Sequence, residues 1–186
     1  IAEIQLNLFR DFLKMKLLKI KNIKLDKLLV DKICRFKMKF WKYSLKSQKK
    51  FFKDNHNDED LHFILMDKKK IIAYNALKKK FFYQVKNKKN LKKSFLLFDS
   101  FLVDKNFRSQ NIGSVHLKKN NVFIKRTKKS AFLLCKKNLI NFYLRNDWDL
   151  RIEKFIFIKN YKKKKNLMSL NLDKLSKTSK IIIDLK

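Results

Sequence analysis

The chain has 186 residues, 45% of them hydrophobic, and a formal net charge of +33. That apolar content is too high for a disordered chain, and the length fits one domain with a real core. The charge attracts polyanions, yet Lys far outnumbers Arg while Gly, Pro and Ala are scarce. Codon drift writes that signature, and it argues against a dedicated nucleic-acid reader, leaving only non-specific nucleic-acid binding.

Between Ile4 and Leu29, hydrophobes alternate with lysines in a spacing that predicts a first strand and a helix with open boundaries. Residues 28–52 repeat apolar side chains every three or four positions (Leu29, Ile33, Phe36, Phe40, Tyr43) and predict one helix. "KDNHNDED" (53–60) reads as a polar, acidic loop, either simply solvated or placed to receive a cationic amine. The apolar runs at 61–66 and 71–77 flank "DKKK" and predict an antiparallel hairpin. "FFYQVKNKKNLKK" (81–93) reads as a crossing to "SFLLFDSFLV" (94–103), a long central strand. Residues 112–129 return to helical spacing through Ile112, Val115, Val122 and Ile124. "AFLLC" (131–135) is a buried strand and 138–146 a short helix; 154–160 and 180–185 are late strands around a lysine-rich loop. The order predicts a mixed α/β sheet.

No apolar run reaches the ~20 residues of a membrane span, and the N-terminus is too charged for a signal sequence. These features predict a cytoplasmic protein with no membrane partner. The absence of an initiator Met predicts a trimmed or partial chain. Cys34 and Cys135 are far apart and sit in apolar segments, as buried free thiols do. His56, His62 and His116 are scattered, so no metal set is expected.

Residues 94–115 run strand, basic turn, helix, and Gly113 in that turn is the only glycine of the chain. Amides at a helix N-terminus are unsatisfied and can cradle phosphate, and a residue without Cβ lets an anion approach the backbone. Arg108 and Gln110 add donors. No dinucleotide fingerprint or P-loop is present.

"VDKNFRSQNIGS" (103–114) resembles the acetyl-CoA-binding motif of the GCN5-related N-acetyltransferases (GNAT). Val103, Phe107, Arg108, Gln110, Ile112, Gly113 and Ser114 match it without a gap. "AFLLCKKNLINFYLRNDW" (131–148) resembles the second motif of that family at the right spacing. The resemblance covers about residues 25–160, with the motif core at 61–160. Three positions depart from it. Asn111 replaces the first glycine of the turn, Lys105 a frequent proline, and Asp147 a usual glycine of the second motif. Asn tolerates a left-handed backbone best after Gly, so the turn can survive.

The resemblance implies an α+β fold, a mostly antiparallel central sheet flanked by helices, over a single acyl-CoA N-acyltransferase domain. It implies acetyl-CoA as co-substrate, no metal, and direct attack on it by a primary amine, from a small molecule or a peptide, in a ternary complex. Main-chain groups of Phe101, Leu102 and Val103 would pair with the pantetheine arm. Amides of Arg108, Ser109, Gln110, Asn111, Ile112, Gly113 and Ser114 would hold the pyrophosphate, and Asn138 of the second motif would also contact the cofactor. Tyr143 falls where the family often has the tyrosine that protonates the leaving thiolate; the bland reading is a core aromatic beside Phe142. Asp99 stands where many members carry a glutamate. It would act as base, directly or through water, orient a cationic amine, or be an edge carboxylate. By strand alternation Ser100 and Asp99 would face opposite sides of the sheet. Two other classes remain: a basic nucleic-acid- or ribosome-associated protein, against which the even spread of lysines argues, and a degenerate member that binds CoA without catalysis. The acceptor, the length of the acyl group and homodimerisation are left open.

Overall fold

The computed structural model describes residues 15–86, 89–151, 156–159, 166–172 and 180–184. Residues 4–14 of the stretch expected as a first strand and a helix, and parts of the two late strands, lie outside these. Tertiary contacts divide the chain into two units: residues 1–78 with 99–116, and residues 79–98 with 117–186.

In the first unit, β1 (Lys16–Lys21), β2 (Leu61–Asp67) and the start of β3 (Lys70–Lys86) form an antiparallel ladder. The expected hairpin is present, with Lys68 at φ 50° in its turn. Helix α1 (Lys27–Met38) begins where Asp26 accepts a hydrogen bond from the Leu29 amide at 2.6 Å. Helix α2 (Leu45–Asn55) begins at Ser44, whose hydroxyl accepts from the Ser47 amide. The single helix expected over 28–52 is therefore two. The apolar period carries no signal for the break at 39–44, but the cap does: a serine oxygen satisfies an amide that a continuing helix would bond internally.

Ile33, Phe36 and Phe52 of these helices pack on Ile64 and Tyr74 of the hairpin. Leu65, Ile72 and Ala73 point the other way and meet Ile112, the first residue of α3 (Ile112–Arg126). Covering both faces explains why β2 reads as an unbroken apolar run.

In the second unit β3 continues, and β4 (Lys89–Val103) pairs in parallel with β5 (Ala131–Cys135) through Leu96 and Leu97. Residues 81–86 and 89–93, expected as a crossing, thus belong to strands. The short helix of the second motif is α4 (Ile140–Leu144). Next come β6 (Asp149–Arg151), β7 (Ile156–Lys159), β8 (Asn166–Leu170) and β9 (Lys180–Asp184). β8 was hidden in the stretch expected as a polar loop; it pairs antiparallel with β5 and β6, and Leu167 to Leu170 are buried. β9 pairs antiparallel with β3 and parallel with β7. Phe82, Phe95 and Phe132 meet at centroid distances of 5.1–6.1 Å in this core. The architecture is mixed α/β with a mostly antiparallel sheet, as expected. Among the described residues, no helix is long and apolar enough to cross a membrane.

Candidate functional site

Strand β4 ends at Val103, and a 3-10 turn (Lys105–Phe107) capped by Asp104 follows. Arg108 is extended, Ser109 is left-handed at φ 64° and Asn111 at φ 59°. Helix α3 then starts at Ile112, and the Asn111 carbonyl accepts from the Val115 amide at 3.1 Å. Asn111 therefore holds the left-handed position that the motif usually gives to glycine. Gly113, by contrast, has a negative φ inside the first helical turn. Its contribution is the missing Cβ, not backbone freedom. The first-turn amides of a helix have no intrahelical partner, so those of Ile112, Gly113 and Ser114 can donate to an anion. Residues 108–111 are exposed around this N-terminus. Two expected donors are turned back onto the chain: Arg108 Nε donates to the Val103 carbonyl at 3.3 Å, and Gln110 Nε2 to the Asn106 carbonyl at 3.1 Å. Arg108 also lies over the Phe40 ring. The cradle is chiefly backbone, which suits a pyrophosphate.

Two positions before Leu102, β4 is interrupted. Ser100 sits at φ 57°, which breaks the pleat, so Asp99 and Ser100 line the same cleft. The expectation that they face opposite sides is corrected: alternation holds only for continuous β backbone. The cleft measures about 560 Å³. Its walls include Lys37 from α1, Trp41 and Tyr43 from the connection, and Ser47, Gln48 and Phe51 from α2.

Asp99 Oδ2 accepts from Lys78 Nζ at 2.6 Å. Burial alone would raise the Asp99 carboxyl, but Lys78 above all, then Lys37 and His56, hold it below the usual carboxylate range. A carboxylate so held is a weak proton acceptor and a good partner for a cation. Lys37 is 1% exposed, and its Nζ has no hydrogen-bond partner among the described residues. Burial pushes its ammonium pKa down, against the pull of Asp99. Sequence reasoning missed Lys37 among so many lysines. The one available signal was its place four residues after Ile33, on the apolar stripe of α1.

The segment 53–60 is largely exposed, as the solvated reading expects, but it is not all loop. Its first residues close α2, and His56 and Asp60 are buried. Three of its acids have partners: Asp54 pairs with Lys50, Glu59 pairs with Lys21, and Asp60 accepts from the Asn57 amide. Behind it, His62 Nδ1 and the Tyr74 hydroxyl are 2.9 Å apart, and His62 Nε2 lies 3.2 Å from Asn22 Oδ1.

In the second unit, Tyr143 is buried on α4 and packs edge-to-face against Phe142 and Trp148. Burial, and next Cys135, raise its hydroxyl pKa, so it keeps its proton at neutral pH. Asp147 is left-handed at φ 68°, the reason a glycine is usual there, and Lys125 pairs with its carboxylate. Trp148 Nε1 donates to Asn121 Oδ1, and Asn121 Nδ2 donates to the Asn146 carbonyl, fixing the end of α4. Neither asparagine stood out in the sequence. Asn138 is exposed in the 3-10 turn before α4.

No protein-family sequence profile matches the chain, and no curated protein matches it in sequence. Solved structures do match in shape. A GNAT family N-acetyltransferase (YhbS) from Escherichia coli, in complex with CoA, superposes at TM-score 0.62 with 12% identity, over 91% of this chain and 89% of its own. The ribosomal-protein-S18-alanine N-acetyltransferase of Escherichia coli gives 0.55 with 13% identity, over 87% and 97%. An aminoglycoside 6'-N-acetyltransferase complexed with coenzyme A gives 0.59 with 9% identity, over 86% and 99%. With β4, its turn and α3 followed by β5 and α4, in the order the two motifs imply, the chain has the fold of the GCN5-related N-acetyltransferase superfamily.

Proposed function

We propose that the protein is an acyltransferase, acting as a single domain in the cytoplasm, that moves an acetyl group from acetyl-CoA to a primary amine. The observation that carries this reading is the turn from Val103 to Ser114. It keeps its left-handed residues without the usual glycine, and it presents helix amides beside a residue with no Cβ. Acetyl-CoA supplies the activated thioester. The residues of the chain bind, orient and exchange protons. Amides of Arg108 to Ser114 are the expected cradle for the pyrophosphate, except that the Arg108 amide donates to the Lys105 carbonyl at 3.2 Å, and the end of β4 offers main-chain groups for the pantetheine arm. Asp99, tied to Lys78 and kept ionised, suits attraction and orientation of the acceptor ammonium better than removal of its proton. Tyr143, whose hydroxyl stays protonated, suits the donor role to a departing thiolate. Positioning then accounts for most of the rate. Acetyl-CoA at a hundred times its Kd should stabilise the fold by about 2.7 kcal/mol, a rise in Tm of about 5–10 °C. No shift with saturating acetyl-CoA would sink the proposal.

A further inference from the structure

The cleft between α1, α2 and β4 contains a lysine head group that no group among the described residues pairs with by hydrogen bonding. Lys37 Nζ is buried and unpartnered among the described residues. The carboxylate that shares the cleft, Asp99, is engaged by Lys78 through one of its two oxygens, Oδ2, at 2.6 Å. Around the ammonium lie the rings of Trp41, Phe51, Phe52 and Tyr74, at 5.6, 5.4, 6.0 and 5.8 Å. Those faces offset part of the desolvation but supply no acceptor for its three donors. An apolar side chain of equal length would fill the same space without burying a charge. A lysine here has a physical rationale if something entering the cleft completes it.

We propose, on the acyl-transfer reading above, that the acceptor is an amine bearing a carboxylate on an apolar, ring-sized body, and that Lys37 Nζ holds the carboxylate. Three features select this chemistry. One unpaired ammonium in an aromatic wall balances one negative charge, whereas a phosphate, with nearly two charges and three oxygens, would need further donors. Trp41, Tyr43 and Phe51 leave 36, 64 and 48% of their surface exposed, an aromatic mouth for an apolar body. Asp99 places a carboxylate in the same cleft for the acceptor's ammonium. Opposite charges on one cleft fit a zwitterion such as an amino acid with an apolar side chain.

The test needs no acetyl-CoA. Trp41 lines the cleft and Trp148 is 1% exposed, so tryptophan fluorescence reports binding there. The probes are 3-phenylpropionate and its neutral amide, 3-phenylpropionamide. Wild type should bind the carboxylate at least about tenfold more tightly, the strength expected of a charged hydrogen bond formed out of water. In Lys37→Met, which fills the same space, that preference should disappear. Equal affinities in wild type, no carboxylate binding up to about 10 mM, or a preference that survives Lys37→Met would each overturn the proposal. If Lys37→Met does not fold, as a thermal scan would show, the wild-type ratio decides alone. Failure of acetyl-CoA to raise Tm would instead remove the acyl-transfer reading, and the carboxylate preference would stand or fall on the titration.

Discussion

Two lysines, Lys37 and Lys78, are buried among the described residues, and their surroundings differ. Lys78 has Asp99 at 2.6 Å, while Lys37 has four aromatic rings and no hydrogen bond. Asp99→Asn should therefore act twice. It leaves Lys78, 7% exposed, without its carboxylate, which costs about 1–3 kcal/mol in denaturant unfolding. It should also raise KM for the amine while acetyl-CoA affinity holds, a split that steady-state kinetics would show. Tyr143→Phe should lower kcat about a hundredfold or more with acetyl-CoA affinity retained. Unchanged turnover would leave Tyr143 a core aromatic against Trp148. Asp99 and Tyr143 stood out as candidates in the sequence because each sits at a recognisable offset in a motif. Lys37 was not: a lysine in a chain of +33 carries no signal until its neighbours are known.

At the scale of elements, the decisive joint is β4, turn, α3. Gly113 lies in the first turn of α3 with negative φ, where helix propensity favours alanine. Gly113→Ala should stabilise the protein by up to about 1 kcal/mol and weaken acetyl-CoA binding, because its methyl occupies the approach of the anion. Thermal scans with and without acetyl-CoA would reveal the opposite signs. Stability and affinity moving together would make Gly113 a structural residue only. The left-handed Asn111 and Asp147 were foreseeable, since both replace glycine in a motif and both residue types tolerate that backbone. The left-handed Ser100 was not, because nothing in "LLFDSFLV" marks an interruption. Strand β8 escaped for a related reason: "NLMSL" follows five polar or aromatic residues rich in lysine, and its pairing with β5 and β6 is non-local.

For the whole molecule, charge and titration give two further expectations. His56, His62 and His116 are buried, and burial, ahead of other causes, lowers all three, His62 to about 3 and His116 to about 4. A histidine whose folded pKa lies below its unfolded value of about 6.5 binds more protons when unfolded. Stability should hold above pH 6.5 and fall steadily as pH drops below it, as Tm measured from pH 7.5 to 5 would report. A flat profile would contradict this burial. Many lysines are exposed or half-buried, including Lys32, Lys39, Lys69 and Lys70 around a second cleft that Arg35 also lines. Binding to DNA or RNA should therefore be non-specific and fade steeply by physiological salt, as a salt titration of affinity would show. Tight, sequence-selective binding at that salt would restore the nucleic-acid reading.

By itself, the sequence determined what rests on short-range pattern: the hairpin, the long strand, the phosphate-type turn with its one glycine, β5, and the order that leads to a GNAT fold. The single elements follow from period and turn chemistry within about twenty residues, and their order from the spacing of the two motifs. Only the tertiary structure decided which lysine is buried without a partner, that Asp99 and Ser100 share a cleft, and that the acidic segment hides His56 and Asp60. Burial and charge pairing depend on residues brought together from α1, α2, β3 and β4. A side chain's dielectric surroundings are a property of that packing, not of its place in the chain.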